Sequence, residues 1–353
     1  MYTALYTRSL LHGGAEKQSL LLAEELQKTQ HTLLIVHTHN SEGNFLDFSG
    51  VENVVFLQGS NLNKLFCLIK ILKKHAVVNL ICFLPVNNIM GTIAGKFAGV
   101  KNIVCGIRGS KYKGWLRTSM LRFICNQMKV VFISNNYLSK DIYCALGFNE
   151  KQISVVHNAI VVPNSNYEIA RSIGGRDFYN LLSVGRFVDE KDFVTLLQAI
   201  HMLVYKFSFI NIHLKLVGYG PLQEMLALKI KELELSYFVN MYDGRTTDLH
   251  NFYLDSDLYL LSSISEGMPN TVMEAMSYKL PVVATDVGDA KFLVSADNGV
   301  LIKAKDFEGM AMGIRDILSN AAAYEKMSNQ SFYKIIKGFS VRRMSQEYRR
   351  FLR

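Results

Sequence analysis

Tyr179-Asn180-Leu181-Leu182-Ser183-Val184-Gly185-Arg186-Phe187-Val188-Asp189-Glu190-Lys191 is the stretch whose reading decides the fold. Its first six residues form a largely apolar run of strand length, and Gly185 closes it. Phe193, Leu196, Leu197, Ile200, Leu203, Val204 and Phe207 then recur at i, i+3, i+4 spacing, which predicts a helix. Strand, polar loop and helix in this order are the start of a βαβ unit. Arg186 and Lys191 stand in the loop, beside a helix start that favours anions. Either an anion offsets them, gripped by the guanidinium and held by the ammonium as a point charge, or they pair on the surface with Asp189 and Glu190.

Downstream the alternation continues. Residues 212–217 read as a strand ending in Gly218-Tyr219-Gly220-Pro221, a tight exit with proline at a helix start. Residues 238–241 read as a further strand, followed by Asp243-Gly244-Arg245. Asp255-Ser256-Asp257 has divalent-metal spacing, but it directly precedes the apolar run Leu258–Leu261 and reads as the structural entry to a buried strand. Then comes Ser265-Glu266-Gly267-Met268-Pro269-Asn270-Thr271-Val272-Met273-Glu274-Ala275-Met276, with two carboxylates eight positions apart. The glycine and proline place Glu266 at a loop end and Glu274 about one turn inside a helix. A ligand with hydroxyls to bind and phosphates to neutralise suits carboxylates placed around such a helix N-terminus. Residues 281–284 form another strand, ending at Thr285-Asp286-Val287-Gly288-Asp289.

Upstream lies a second set of alternations. A short, polar first strand leads to His12-Gly13-Gly14-Ala15-Glu16-Lys17 and a helix with Ala15, Ser19, Leu22, Ala23 and Leu26 on one face. Gly13 and Gly14 either admit a ligand close to the backbone or make a plain turn. Residues 32–37, 54–57, 77–84, 102–105 and 130–133 read as strands, and 62–74 and 88–97 as helices. Near-continuous apolar runs suit a parallel sheet buried on both faces, so the expectation is a doubly wound α/β domain. Arg108, just past one of these strands, falls where ligands bind in such sheets. Residues 111–129 interleave Lys111, Lys113, Arg117, Arg122 and Lys129 with Tyr112, Trp115, Leu116 and Phe123, which fits an anionic membrane surface or a core helix with a basic face. Residues 161–178 are polar, with Pro163, Gly174 and Gly175, and read as the linker between domains 1–160 and 179–339. In the tail 340–353, Val341, Met344, Tyr348 and Phe351 share one face of a basic helix that packs back across the first domain or touches lipid.

Composition bounds these readings. A chain of 353 residues calls for two domains, and 49% hydrophobic content excludes disorder. No apolar run reaches transmembrane length, and residues 1–8 lack a basic segment followed by a long apolar run, so a signal peptide is not expected. The odd set Cys67, Cys82, Cys105, Cys125 and Cys144, with no close pair, reads as reduced thiols of a cytosolic protein. A net charge of +9 fits a phosphorylated substrate or an anionic membrane; no nucleic-acid signature accompanies it.

Taken together, and in this order, Gly13-Gly14-Ala15-Glu16, His157-Asn158-Ala159-Ile160, Gly185-Arg186 through Glu190-Lys191, Gly218-Tyr219-Gly220-Pro221, Glu266-Gly267-Met268-Pro269-Asn270 through Glu274, and Pro281 through Gly288 resemble the family 4 glycosyltransferases (glycosyl transferases group 1) over nearly the whole chain. The resemblance implies the GT-B fold, two Rossmann-like domains facing across a cleft, of the retaining Glu-x7-Glu type. It implies a nucleotide diphosphate sugar as donor, UDP-linked by default, and a glycan or lipid-linked acceptor, in surface polysaccharide synthesis at the inner membrane face. Arg186 and Lys191 match the positions that neutralise the donor diphosphate, with charge growing as the glycosidic bond breaks. Glu266 matches the carboxylate near the sugar hydroxyls and Glu274 the one that holds the ribose. The backbone of Gly267, Met268, Pro269, Asn270 and Thr271 would meet sugar or phosphate, Gly244 and Arg245 would frame the base, and Asn158 would join the donor site. Gly13, Gly14 and Arg108 would serve the acceptor side, Arg108 standing where many relatives carry a histidine. Asp192 replaces a glycine or asparagine common there. No metal or other cofactor is implied.

Two other functions fit parts of this pattern: a nucleotide-sugar epimerase of the same fold, and a non-catalytic sugar-nucleotide-binding subunit of a membrane assembly. A nicotinamide oxidoreductase does not, because no Gly-x-Gly-x-x-Gly opens the first domain.

Overall fold

The computed structural model describes residues 2–10, 14–38, 47–108, 115–128, 130–246 and 248–352, apart from the side chains at 115–117, 120, 124 and 125. Two compact units emerge: Met1–Ala159 together with Ser340–Arg353, and Ile160–Phe339.

The first unit holds β1 (Tyr2–Thr7), β2 (His31–Val36), β3 (Val54–Phe56), β4 (Val77–Phe83), β5 (Asn102–Ile107), β6 (Val131–Ser134) and β7 (Ile153–Val155). All pairings are parallel, in the order β3-β2-β1-β4-β5-β6-β7. The sequence made β1 look marginal. It is instead a six-residue central strand, with Ala4, Leu5 and Tyr6 fully buried. Its threonines are accommodated because each finds a polar partner: Asn79 Nδ2 donates to Thr3 Oγ1 at 3.2 Å, and Ser19 Oγ to Thr7 Oγ1 at 3.2 Å.

Strand order fixes where the helices go. The step from β1 to β2 runs one way along the sheet; the steps from β3 to β4 and onward run the other. Right-handed crossovers therefore put the Gly14–Gln27 helix on one face and the helices Asn61–Lys74, Pro85–Ala98, Trp115–Gln127 and Tyr137–Ala145 on the other. The two cores match: Leu20, Leu22 and Leu26 pack on one side, Leu68, Leu72, Ala94, Leu121 and Tyr143 on the opposite side. The tail helix Val341–Arg349 completes the first of these cores with Met344 and Tyr348, and leaves Arg343 and Arg350 exposed.

The second unit repeats the plan with β8 (Tyr179–Val184), β9 (Ile212–Gly218), β10 (Val239–Asp243), β11 (Leu258–Leu261), β12 (Val282–Thr285) and β13 (Gly299–Ile302). The order is β10-β9-β8-β11-β12-β13, again all parallel. The order reverses between β8 and β11, which makes that gap the natural ligand crevice at the carboxyl ends.

Residues 161–178 are not a linker. They belong to the second unit, and their polar side chains are spent on its backbone. Asn166 and Ile173 are buried, and Asn166 Nδ2 donates to Ser277 O at 3.0 Å. Arg171 donates to the carbonyls of Tyr253, Leu254, Ser256 and Tyr278, satisfying the end of the Leu249–Leu254 helix. Arg176 pairs with buried Asp257, which also accepts from Asn180 N at 2.8 Å. Asp255-x-Asp257 is thus structural, and its second carboxylate anchors the start of β8. Among the described residues no helix is long and apolar enough to cross a membrane.

Candidate active site

Five strand-end loops of the second unit converge because their glycines let main chain touch main chain. A Cβ on Gly218, at the end of β9, would lie 1.9 Å from Gly185 O, beyond β8. Gly288, beyond β12, has φ +55, and a Cβ there would lie 2.2 Å from Glu266 O. Hydrogen bonds fasten the same contacts: Gly185 N to Val217 O at 3.0 Å, Gly244 N to Gly218 O at 3.1 Å, and Asp289 N to Gly267 O at 2.9 Å.

The loops after β8 and β11 close over the switch point. Ser262 Oγ donates to Lys191 O at 2.8 Å, and Ile264 N to Glu190 O at 2.9 Å. Side chains then meet: Lys191 Nζ lies 2.5 Å from Glu266 Oε1, which also accepts from Ser263 Oγ at 2.7 Å. The lysine and glutamate side chains are only 20% and 13% exposed, so the pair is held in a partly dry setting where charge–charge terms are large. Lys191 keeps two further ammonium donors and Glu266 its Oε2 acceptor for a ligand. The alternative pairing of Lys191 with Asp189 or Glu190 is not what forms. Arg186 is exposed at the end of the β8 loop, and no ion pair among the described residues involves it.

Asp192 has φ +44 and caps the Phe193–His201 helix, accepting from Thr195 Oγ1 at 2.6 Å. A left-handed backbone suits glycine or asparagine, and the capping bonds explain how aspartate serves here.

Glu274 is the fifth residue of the Asn270–Ser277 helix, whose N-cap is Pro269. Tyr253 OH donates to Glu274 Oε2 at 3.0 Å. Burial, with the Glu274 carboxylate beside it, holds the Tyr253 phenol well above its ordinary value, so it stays protonated and can only orient the carboxylate as a donor. Met268 turns its side chain into the core with Val272 and Met276, so only its main chain faces the loops. At the end of β10, Arg245 grips Asp243 through both Nε and Nη2 and lies 5.3 Å over the Tyr219 ring. That bidentate grip holds the Asp243 carboxyl down to about 2.

Asn158, expected to join the donor site, stands in the first unit. There its Oδ1 accepts from Arg108 Nη1 at 2.6 Å, while Arg108 Nη2 donates to the buried Tyr348 OH at 2.9 Å and the guanidinium lies 5.2 Å over Phe83. Gln18 locks the same loop, donating to Ala159 O and accepting from Ala159 N, both at 2.8 Å. Gly14 opens the Gly14–Gln27 helix and is exposed, whereas Gly13 lies outside the described residues, as do Lys111, Tyr112 and Lys113. Ser263 and Tyr253, the two hydroxyls that set the carboxylates, were not singled out from the sequence. No spacing marks them, since each acts from a separate element. Among the described residues no group of His, Cys, Asp and Glu is arranged to hold a metal ion.

Two all-parallel Rossmann-like sheets with these strand-end sites make the fold that of the GT-B glycosyltransferases. Residues 170–332, all within the second unit, match the family model for glycosyl transferases group 1. An uncharacterized glycosyltransferase of Haemophilus influenzae is 32% identical over 178 residues, 50% of this chain and 50% of its own. The UDP-Gal:alpha-D-GlcNAc-diphosphoundecaprenol alpha-1,3-galactosyltransferase of Escherichia coli is 24% identical over 307 residues, 80% of this chain and 76% of its own. The chain spans about half the length, or less, of the first curated relatives it matches. Among solved structures, the Anabaena protein HepE in complex with UDP superposes with a TM-score of 0.82 at 17% identity, over 100% of this chain and 99% of that one.

Proposed function

We propose that the protein transfers a sugar, with retention of anomeric configuration, from a nucleotide diphosphate sugar to a glycan or lipid-linked acceptor in surface polysaccharide synthesis. UDP is the nucleotide the comparison favours, since HepE superposes with UDP bound. The observation that carries the reading is the Lys191–Glu266 pair across the switch point of the second sheet.

In this reading Lys191 and exposed Arg186 meet the donor diphosphate, and the charge gained by the leaving group strengthens their bonds in the transition state. Each such charged bond contributes about 1.5–3 kcal/mol. Their two positive charges do the neutralising, so the reaction runs without a metal ion. Glu266 offers Oε2 to the sugar hydroxyls, and Glu274, oriented by Tyr253, takes the vicinal ribose hydroxyls. The main chain from Gly267 to Thr271 lines the same loop, and Gly244 with Arg245 and Tyr219 frames the base. The acceptor hydroxyl bonds to the anomeric carbon on the face the leaving group departs from, and its proton passes to the departing phosphate oxygen. The acceptor belongs to the first unit, near Gly13, Gly14 and Arg108. The Escherichia coli relative is named for a diphosphoundecaprenol acceptor, which supports a lipid-linked one here and a place on the inner face of the plasma membrane.

Incubation of the purified chain with a panel of nucleotide sugars tests this. The true donor should raise Tm by mass action. Arg186→Ala and Lys191→Ala should lower transfer by about two orders of magnitude while the fold survives. Wild-type turnover by both variants would overturn the reading. An isomer of the donor formed with no acceptor would replace it with an epimerase.

A further inference from the structure

Residues 53–140 contain thirteen lysines and arginines and not one aspartate or glutamate, which leaves twenty-six cations against thirty carboxylates in the rest of the chain. Of this run, the fold carries Lys70, Lys73, Lys74, Lys96 and Arg122 on helices that share one face of the first sheet. The helices Asn61–Lys74, Pro85–Ala98 and Trp115–Gln127 cover a single face of the first sheet as consecutive neighbours. The strands between them are buried, so their charges lie on the outer sides of the helices and in the turns. The Gly14–Gln27 helix on the opposite face mixes Glu16, Glu24 and Glu25 with Lys17.

The outward line of the Asn61–Lys74 helix begins with Leu62 and Phe66, 62% and 57% exposed, and ends in exposed Lys70, Lys73 and Lys74. Phe97 is 71% exposed beside Lys96, and Phe123 is 67% exposed beside Arg122. Among the described residues no ion pair involves Lys70, Lys73, Lys74, Lys96 or Arg122. Exposed phenylalanines are ordinary when scattered singly. Here each of three neighbouring carboxylate-free helices carries one, with cations close to it.

We infer that this three-helix face docks the protein on an anionic lipid surface. Headgroup phosphates attract the lysines, and the boundary between headgroups and acyl chains takes the phenylalanines and Leu62. A nucleic-acid backbone would use the lysines but set Leu62, Phe66 and Phe97 against phosphate and water. The face is wider than the basic stretch 111–129, and it excludes the basic tail, whose apolar side is committed to the core. The inference concerns the first unit alone and holds whether or not the second unit transfers a sugar.

Flotation of the purified full chain with vesicles tests it. Vesicles of phosphatidylcholine with phosphatidylglycerol should carry the protein upward and phosphatidylcholine alone should not, with binding weakened by salt. The exposed triple variant Lys70→Glu, Lys73→Glu, Lys74→Glu should weaken partitioning about tenfold or more. Phe66→Ser with Phe97→Ser should weaken it at high salt, where charge is screened. Circular dichroism and unchanged nucleotide-induced Tm shifts check that these surface variants fold. Equal binding to neutral vesicles, no binding to either, or wild-type partitioning by the triple variant would overturn the inference. So would displacement from anionic vesicles by single-stranded RNA at equimolar charge, which would reassign the face to nucleic acid.

Discussion

The two units share a plan and hold their strand-end loops by different means. In the second unit the loops are fixed by main chain against main chain: Gly218 on Gly185, Gly244 on Gly218, Gly288 on Glu266. Charged side chains are then free for a ligand, Arg186 being exposed and Lys191 and Glu266 paired through one oxygen. In the first unit the matching edge is held by side chains. Arg108 spans Asn158 and Tyr348, and Gln18 clips Ala159. A site built on backbone keeps its geometry when a side chain changes, whereas one built on side chains can change its ligand by substitution. Under the proposed function, the backbone-held loops would serve the donor and the side-chain-held edge the acceptor.

The comparison breaks most readily at its backbone contacts. Gly218→Ala forces a methyl to within 1.9 Å of a carbonyl oxygen that has no rotamer to give, so the loops after β8 and β9 must separate. The expected loss is about 3 kcal/mol of stability or more, with nucleotide-dependent Tm shifts abolished. Calorimetry with and without nucleotide reads both. A variant with wild-type Tm and binding would show that the glycine contacts do not set the site.

Arg108→Ala attacks the other mode. It strands the buried Tyr348 hydroxyl and removes one donor from Asn158, and the expected cost is about 1–3 kcal/mol. Tyr348→Phe should cost less, because one bond goes and the packing stays. Denaturant unfolding of both variants checks the order, and nucleotide binding by the second unit should be untouched in each.

The legibility of the sequence follows the same division. Strands of the first sheet were visible as apolar runs, and 54–57 or 77–84 end within a residue of β3 and β4. β1 was not, because its threonines read as polar until Asn79 and Ser19 are seen to satisfy them. The segment 161–178 misled for a related reason: its composition is that of a linker, but Arg171 and Asn166 are spent on carbonyls more than seventy residues away in sequence. The charged residues of the candidate site could be named from their place after strands. Their pairing could not, since Lys191 chooses Glu266 over the adjacent Asp189 and Glu190 only when β8 and β11 lie side by side. The same holds for Asn158, whose bond to Arg108 joins residues fifty positions apart.

Tyr253→Phe sharpens the comparison on the donor side. The phenyl ring keeps its stack against Tyr278, centroids 5.2 Å apart, but Glu274 loses the donor that orients it. Donor binding should weaken by about 0.5–1.5 kcal/mol, roughly two- to thirteenfold, through KM with kcat little changed. Kinetics that fall in kcat instead would move Glu274 from ribose binding into the chemistry.

The smallest effect is expected at the Asp243–Arg245 grip, an exposed side-chain pair in the loop after β10. The grip lowers the Asp243 carboxyl from its ordinary 3.8 to about 2, so the ionised form is the one favoured by folding. The contribution is therefore complete above about pH 4 and lost as pH falls through 2, the direction for a depressed carboxylate. Carbon-13 titration of the Asp243 carboxyl should show the low midpoint, and Arg245→Ala should return it toward the ordinary value. Because the pair is solvent-exposed, Tm near neutrality should hardly move. If the midpoint stays low without Arg245, the backbone amide of residue 245 is the true holder, and this loop too is set by main chain like its neighbours.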